Sequence, residues 1–241
     1  MEHPWRYARG VNESFRPRLL AVLALCTMST ACPADLMQDF TETYLLTDPV
    51  ELFEIVVDRG SLVAITYDLS AVKLKRHTFG LASSLVKPEY SIEDGVVRFE
   101  SHCTGRKDEC TWDHMLELPY GVGFDLTMTE ALIDLTNTDG DITANFGLGD
   151  FKGSGLKSSH VDITAETATV VMEFATAPEA VTINLQAGNV TLTVPAGTYQ
   201  CNFASAAGEV VMSGINCDAT AASILDVQVA AGDITVSAAT P

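Results

Sequence analysis

The strongest constraint on this chain is a phrase that it states several times between Ile133 and Val236. It reads IDLTNTDGDITA at the start of that stretch and LDVQVAAGDITV at its end, with VTINLQAGNVTLTV and a looser copy, CNFASAAGEVVM, between. Each copy is an alternating apolar segment, a corner of small residues centred on glycine, and a second alternating segment. The corners Gly149-Asp150, Ala168-Thr169, Gly188-Asn189, Gly208-Glu209 and Gly232-Asp233 lie 19, 20, 20 and 24 residues apart, and Gly140-Asp141 precedes the first by half a period. A fixed period of this size marks a repeat architecture. Within one copy Val181, Ile183 and Leu185 point one way while Thr182, Asn184 and Gln186 point the other. Past the corner Val190, Leu192 and Val194 resume the inward phase, with Thr191 and Thr193 outside. Strict period two with β-branched residues predicts strands. Glycine supplies the corner angles, and Asp or Asn beside it can bond the local backbone. One coil cannot bury its apolar side alone, so the copies must stack. The expectation is an all-β, single-domain β-solenoid, whose terminal coil near Val236 would be exposed and invite edge pairing unless capped.

Charge narrows the function classes. The 241 residues carry 14 basic and 32 acidic groups, a net charge of −18, and no Lys or Arg follows Lys157. Such a surface repels phosphate, which argues against nucleic acid as a partner. A β-helix enzyme acting on acidic sugars would be expected to offer basic residues, and a glycosidase needs two carboxylates at a defined separation. Acidic residues here occur singly along the outward phase, and GSG at Gly153–Gly155 reads as a turn, not a nucleophile elbow. No catalytic residue and no cofactor is assigned.

The N-terminus reads as an export signal over residues 1–31. Arg6, Arg9, Arg16 and Arg18 precede the apolar run LLAVLAL, followed by small residues up to Cys32. That run is too short to span a bilayer, and the three-part order is that of a secretory signal. Ser29-Thr30-Ala31-Cys32 resembles a lipobox whose Cys32 becomes lipidated, with Ser29 departing from the usual aliphatic residue. Ser29-x-Ala31 also suits ordinary cleavage and plain secretion. Cysteine parity favours the lipid anchor: Cys26 leaves with the signal, and acylated Cys32 leaves four cysteines for two pairs. Residues 32–49 then form the lipidated start and a tether, part of which can dock, and residues 50–241 the repeat domain. The expected partners are a membrane through Cys32 and an envelope or cell-surface component.

Ahead of the repeats, ELFEIVV and LVAITYD flank Asp58-Arg59-Gly60-Ser61 and predict a hairpin. Arg76 and His77 read as solvated strand residues; an anion site made by Lys73, Lys75, Arg76 and His77 is the sharper alternative. SIEDGVVRFESHC and CTWDHMLELP predict a second hairpin closed by a Cys103–Cys110 disulfide. His102 and His114 flank that pair, but the spacing fits zinc poorly. Cys201 and Cys217 share the inward phase and predict a staple between adjacent coils, with two buried thiols as the alternative. Asn137, Asp139, Gly140 and Asp141 superficially match a calcium loop, yet Leu135 and Phe146 occupy its first and twelfth positions. They read as turn residues, and no metal site is assigned.

LELPYGVGFDLTMTEALIDLTNTDGDITA resembles the bacterial candidate-adhesin domains with repeated Gly-Asp strands, also called toast-rack-like β-solenoids. TVPAGTYQCNFASAAGEVVMSG repeats that family's phrase at Pro195 and Gly197, and the likeness extends over Val50 to Val236. It implies an exported, often lipid-anchored protein, and it carries no catalytic residues. The functional expectation is a non-catalytic structural or adhesive module of the cell envelope. The alternative is a module binding polysaccharide, or calcium weakly, on rows of outward Thr, Asn and Gln.

Overall fold

Strands make up the regular structure of the residues described by the computed structural model, which are 37–81, 89–104 and 110–239. Residues 1–31, read in the sequence as an export signal, and Cys32 lie outside them. In chain order the first strands are β1 (Met37–Leu46), β2 (Leu52–Thr66), β3 (Val72–Leu81), β4 (Glu89–Glu93), β5 (Val96–Ser101) and β6 (Cys110–Leu118). The repeats supply β7 (Gly123–Thr136), β8 (Ile142–Leu156), β9 (His160–Phe174) and β10 (Ala180–Val194). The chain closes with β11 (Thr198–Ala207), β12 (Val210–Ser213), β13 (Asn216–Cys217), β14 (Ile224–Ala231) and β15 (Ile234–Ala238). The all-β, single-domain expectation holds.

The pairing register requires the long strands to wind. Phe124 of β7 lies beside Ile142 of β8, and the two strands run parallel as far as Ser154. A straight run from Phe124 to Thr136 would be about 40 Å long, whereas the six steps from Thr136 to Ile142 reach at most about 21 Å. The strand must therefore fold back in its middle, and the ladder passes over Thr129 next to the Glu130–Ala131 corner. The offset repeats from β8 to β9 and from β9 to β10. Ala168 takes the corner between Gly149 and Gly188, so the copy without glycine keeps register. A Cβ on Gly188, whose φ is +123°, would lie 1.8 Å from the Ala168 carbonyl oxygen. The corner thus accepts glycine where neighbouring backbones touch.

Stacking turns the inward phase into continuous apolar rows. Ile55, Leu126, Ala144, Ile163, Ile183 and Val227 lie side by side on six successive strands, all essentially without exposure. Each large aliphatic in such a row contributes about 1.5–3 kcal/mol.

Three expectations change. Asp58–Ser61 is not a hairpin turn: β2 runs through it, and both of its arms pair parallel with β7. The second expected hairpin is also absent. β5 lies on the first arm of β2 and β6 on the second, so Cys103 and Cys110 bridge a corner of one coil. Parallel stacking buries both arms, whereas a hairpin would leave one unpaired. The real hairpin is β4–β5, turning at Asp94 and Gly95, both with positive φ. The Asp-Gly between alternating apolar residues is the sequence signal for it.

The third change concerns order. β14 and β15 pair directly with β10, and β11 and β12 stack outside them. The last coil in sequence is therefore inserted beneath the one before it, and Val236 is fully buried. The edge lies at β11 and β12 instead.

Candidate functional site: a neutral groove across the coils

Outward residues of the first arms form a ladder along the stack. Thr127 pairs with Asn145, Asn145 with Thr164, Thr164 with Asn184, Asn184 with Gln228, and Gln228 with Ala204. Six strands at about 4.8 Å spacing make this row about 24 Å long. It lines an open groove of about 870 Å³ that runs up to the corners. Small residues hollow it out: Gly147, Ala206 and Ala230 occupy the next position toward the corner. A Cβ on Gly147 would meet the Thr129 carbonyl oxygen at 2.7 Å. Met128, Phe146, Leu185 and Val229 alternate with the ladder and turn into the core, while Leu148 is the large apolar side chain exposed at the groove.

The electrostatics of this groove differ from those of the whole chain. Among the described residues Glu166 is the only charged one lining it, on a protein with net charge −18. The remaining polar groups are hydroxyls and amides, which offer donors and acceptors without fixed charge. Gln228 Nε2 donates to Asp226 Oδ1 at 2.8 Å, and Asn202 Nδ2 donates to the same oxygen at 3.1 Å. That end of the ladder is therefore pre-oriented. Of the outward Thr, Asn and Gln singled out in the sequence, Asn184 and Gln186 line the groove, while Thr182, Thr191 and Thr193 do not.

The repeat corners act between coils more than within them. Asn189 Oδ1 accepts from the Asp233 N–H at 2.9 Å, and Asp233 Oδ1 accepts from the Glu209 N–H at 2.9 Å. Gly188, Gly232 and Gly208 let those chains approach, and the side chains beside Gly188 and Gly232 each cap the next coil. At the opposite corner, Gly140 packs against the Val122 carbonyl and Asp141 Oδ1 accepts from the His160 N–H at 3.2 Å. Asp139 Oδ1 accepts from the Gly121 N–H at 2.8 Å, and Asn137 has a φ of +57°. The residues that mimic a calcium loop do turn work. Among the described residues no group of three His, Cys, Asp or Glu is placed to hold a metal ion.

Arg76 corrects a sequence reading. It is buried, at 3% exposure, because inward residues of β3 face the coil interior. Its guanidinium bonds Glu42 and the Tyr44 hydroxyl and sits 5.7 Å from the Tyr44 and Phe99 ring centres. Its β6 partner His114 is buried too, and burial followed by the Arg76 charge lowers its pKa to about 4. Among the described residues, Arg76 Nε and Nη1, Thr78 Oγ1, Trp112 Nε1 and His114 Nδ1 find no hydrogen-bond partner. Half-exposed His77 lies between Asp39 (2.8 Å) and Asp113 (3.4 Å), and the Asp39 bond raises its pKa. Ser61 Oγ donates to Asp113 at 2.7 Å. Both ring nitrogens of His77 face carboxylates, so this set does not activate the serine. Lys73 pairs with Glu117 at 2.9 Å. The cluster offered as the alternative anion site is largely neutralised by its neighbours, and Lys75 lies beside Met115 in the register.

Both disulfides form, Cys103–Cys110 and Cys201–Cys217. The second ties β13 to the outermost coil, where Cys201 is half-buried and Cys217 exposed, because no further coil among the described residues covers them. Trp112 and Tyr199 are interior, and the exposed Tyr120 lies under Lys157 Nζ at 5.4 Å. Among the described residues no aromatic stripe lines the groove.

No known family profile and no curated protein matches the chain. Among solved structures it is similar to a candidate cell adhesion protein of Clostridium sporogenes, at 12% identity and a TM-score of 0.48, covering 84% of this chain and 100% of that one. It is also similar to a candidate adhesin of Bacteroides fragilis, at 11% identity and a TM-score of 0.36, covering 84% and 97%. A candidate lipid binding protein of Parabacteroides distasonis follows at 10% identity and a TM-score of 0.28, covering 83% and 97%.

Proposed function

We propose that this protein is an exported, non-catalytic binding module of the cell envelope that holds a neutral linear polysaccharide along the groove. The observation that carries the reading is the uncharged Thr127–Asn145–Thr164–Asn184–Gln228 ladder on an otherwise acidic chain. Rungs about 4.8 Å apart approach the length of one hexose in an extended glycan. Hydroxyl and amide groups exchange hydrogen bonds with sugar hydroxyls, and the exposed Leu148 offers an apolar face to the rings. Among the described residues Glu166 alone supplies a carboxylate there, whereas glycoside hydrolysis calls for two. An acidic polymer would meet the field of the surrounding carboxylates.

Export rests on the signal pattern of residues 1–31 and on the two disulfides, which persist in oxidising compartments. A lipid at Cys32 would fix the module to a membrane and leave the groove free for an adhesive role. Affinity electrophoresis in gels cast with neutral or acidic glycans tests the reading. We expect retardation by at least one neutral glucan or mannan, none by polyuronate, and loss of retardation in Asn145→Ala/Asn184→Ala. A Thr191→Ala control, outside the groove, should run as wild type. Uniform migration in every gel, or retention by the double variant, would refute the glycan reading.

A further inference from the structure

The stack is open at its β11–β12 end. Among the described residues β12 pairs only with β15, and β13 covers only Thr198 and Tyr199 on the outer side of β11. Two kinds of group lack neighbours there. The Gln200 N–H donates to Ser223 on the inner side, while the Tyr199 carbonyl accepts from Asp218 on the outer side. By the alternation of a parallel strand, Cys201, Phe203 and Ser205 aim their backbone groups at the open edge. In addition, Val210 and Met212 continue the inward rows of Ile234 and Val236. Ile234 and Val236 are fully buried, yet Met212 is 52% exposed. The apolar interior is cut through at this coil.

We propose that the open coil is a self-association surface, closed by the same coil of a second copy of this chain. The two copies pair edge to edge about a two-fold axis, which continues both sheets and covers both interiors. Charge and position select this occupant. Two copies with net charge −18 repel over most of their surfaces, but β11 and β12 contain no charged residue and only Glu209 lies at their corner. Edges that remain single commonly carry Lys, Pro or inward charges, and these strands carry none. A second copy brings apolar rows at the same strand spacing, so Val210 and Met212 meet their equivalents.

Sedimentation velocity over a wide concentration range, on the protein recovered after export and carrying Cys32→Ser, tests this. We expect reversible doubling of mass. Adding Met212→Lys, on the inward row, should weaken the dimer on the order of a hundredfold by facing two ammonium groups across it. Val211→Lys, on the outward face of the same strand, should leave it intact. Far-UV circular dichroism checks that each variant remains folded. A wild type that stays monomeric, or folded Met212→Lys that dimerises as tightly as wild type, would overturn the proposal. Assemblies larger than two would also overturn it, since they require a second edge.

Discussion

His114 has its ring 5.5 Å from that of Phe99 and its pKa held down to about 4, by burial first and then by Arg76. The folded state therefore keeps it neutral while the unfolded chain takes a proton near pH 6.5. Its contribution is complete above pH 6.5 and is lost as pH falls from there toward 4, at up to about 1.4 kcal/mol per pH unit. His77 has the opposite sign: its raised pKa gives a contribution that is complete below pH 6.5 and fades as pH rises past the folded value. At 38% side-chain exposure that contribution is small. We expect the urea midpoint of wild type to fall between pH 7 and pH 5, and that of His114→Leu to fall much less. Parallel curves would remove His114 as the cause. Strand phase gives a second prediction at this scale. Leu185, 4% exposed, should not tolerate Asp, because the buried carboxylate has no partner. Thr182→Asp should cost only about 1 kcal/mol, as it places one more carboxylate between Asp162 and Asp226 on neighbouring strands. Thermal melts that rank Thr182→Asp as the worse would invert the phase.

At the scale of elements, β1 depends on charged side chains as well as on its ladder to β3. Buried Arg76 reaches it through Glu42 and Tyr44, and His77 through Asp39. Glu42→Ala leaves the guanidinium desolvated without its carboxylate, a loss of about 3–5 kcal/mol where both partners are buried and less here, since Glu42 is 40% exposed. We expect hydrogen exchange of Met37–Leu46 to accelerate at least tenfold in Glu42→Ala while β8 to β10 keep their protection. Acceleration throughout the sheet would mean that β1 does not open as a separate unit. Strand phase and repeat period were legible in the sequence because each copy carries its own alternation. The pairing of β2 with β7 was not, because local pattern cannot tell a corner at Gly60 from a hairpin turn. Arg76 was misread for a related reason: alternation in VKLKRHTFG places it inward, but charge suggests solvent, and its partners lie 32 and 34 residues away. The groove was half legible. Asn184 and Gln186 stood out as an outward row, but hollowing at Gly147, Ala206 and Ala230 requires the stack.

For the whole molecule, the insertion of β14–β15 beneath β11–β12 left two traces in the sequence. The corner spacing rises to 24 residues between Gly208 and Gly232, room for the chain to double back. The looser copy, with Ser205 on its inward phase, also sits outermost, as a terminal repeat would. Each coil contacts only its neighbours, so stability should be a sum over coils and interfaces. Deleting Val161–Ala180 joins His160 to Val181, which occupies the same register position one coil further on. Val190 then meets Phe151 in place of Val170, Gly188 meets Gly149 in place of Ala168, and Leu185 meets Phe146 in place of Ala165. The last exchange overpacks one row, at about 1–3 kcal/mol. This variant should keep a β-type far-UV spectrum and a cooperative melt at lower temperature. Deleting Val161–Val170 instead joins His160 to Val171, an outward residue, and turns Met172 and Phe174 toward solvent. That shorter deletion should abolish folding although it removes half as much chain. If circular dichroism and melting show that both variants fold, or that neither does, the coil is not the unit of this structure.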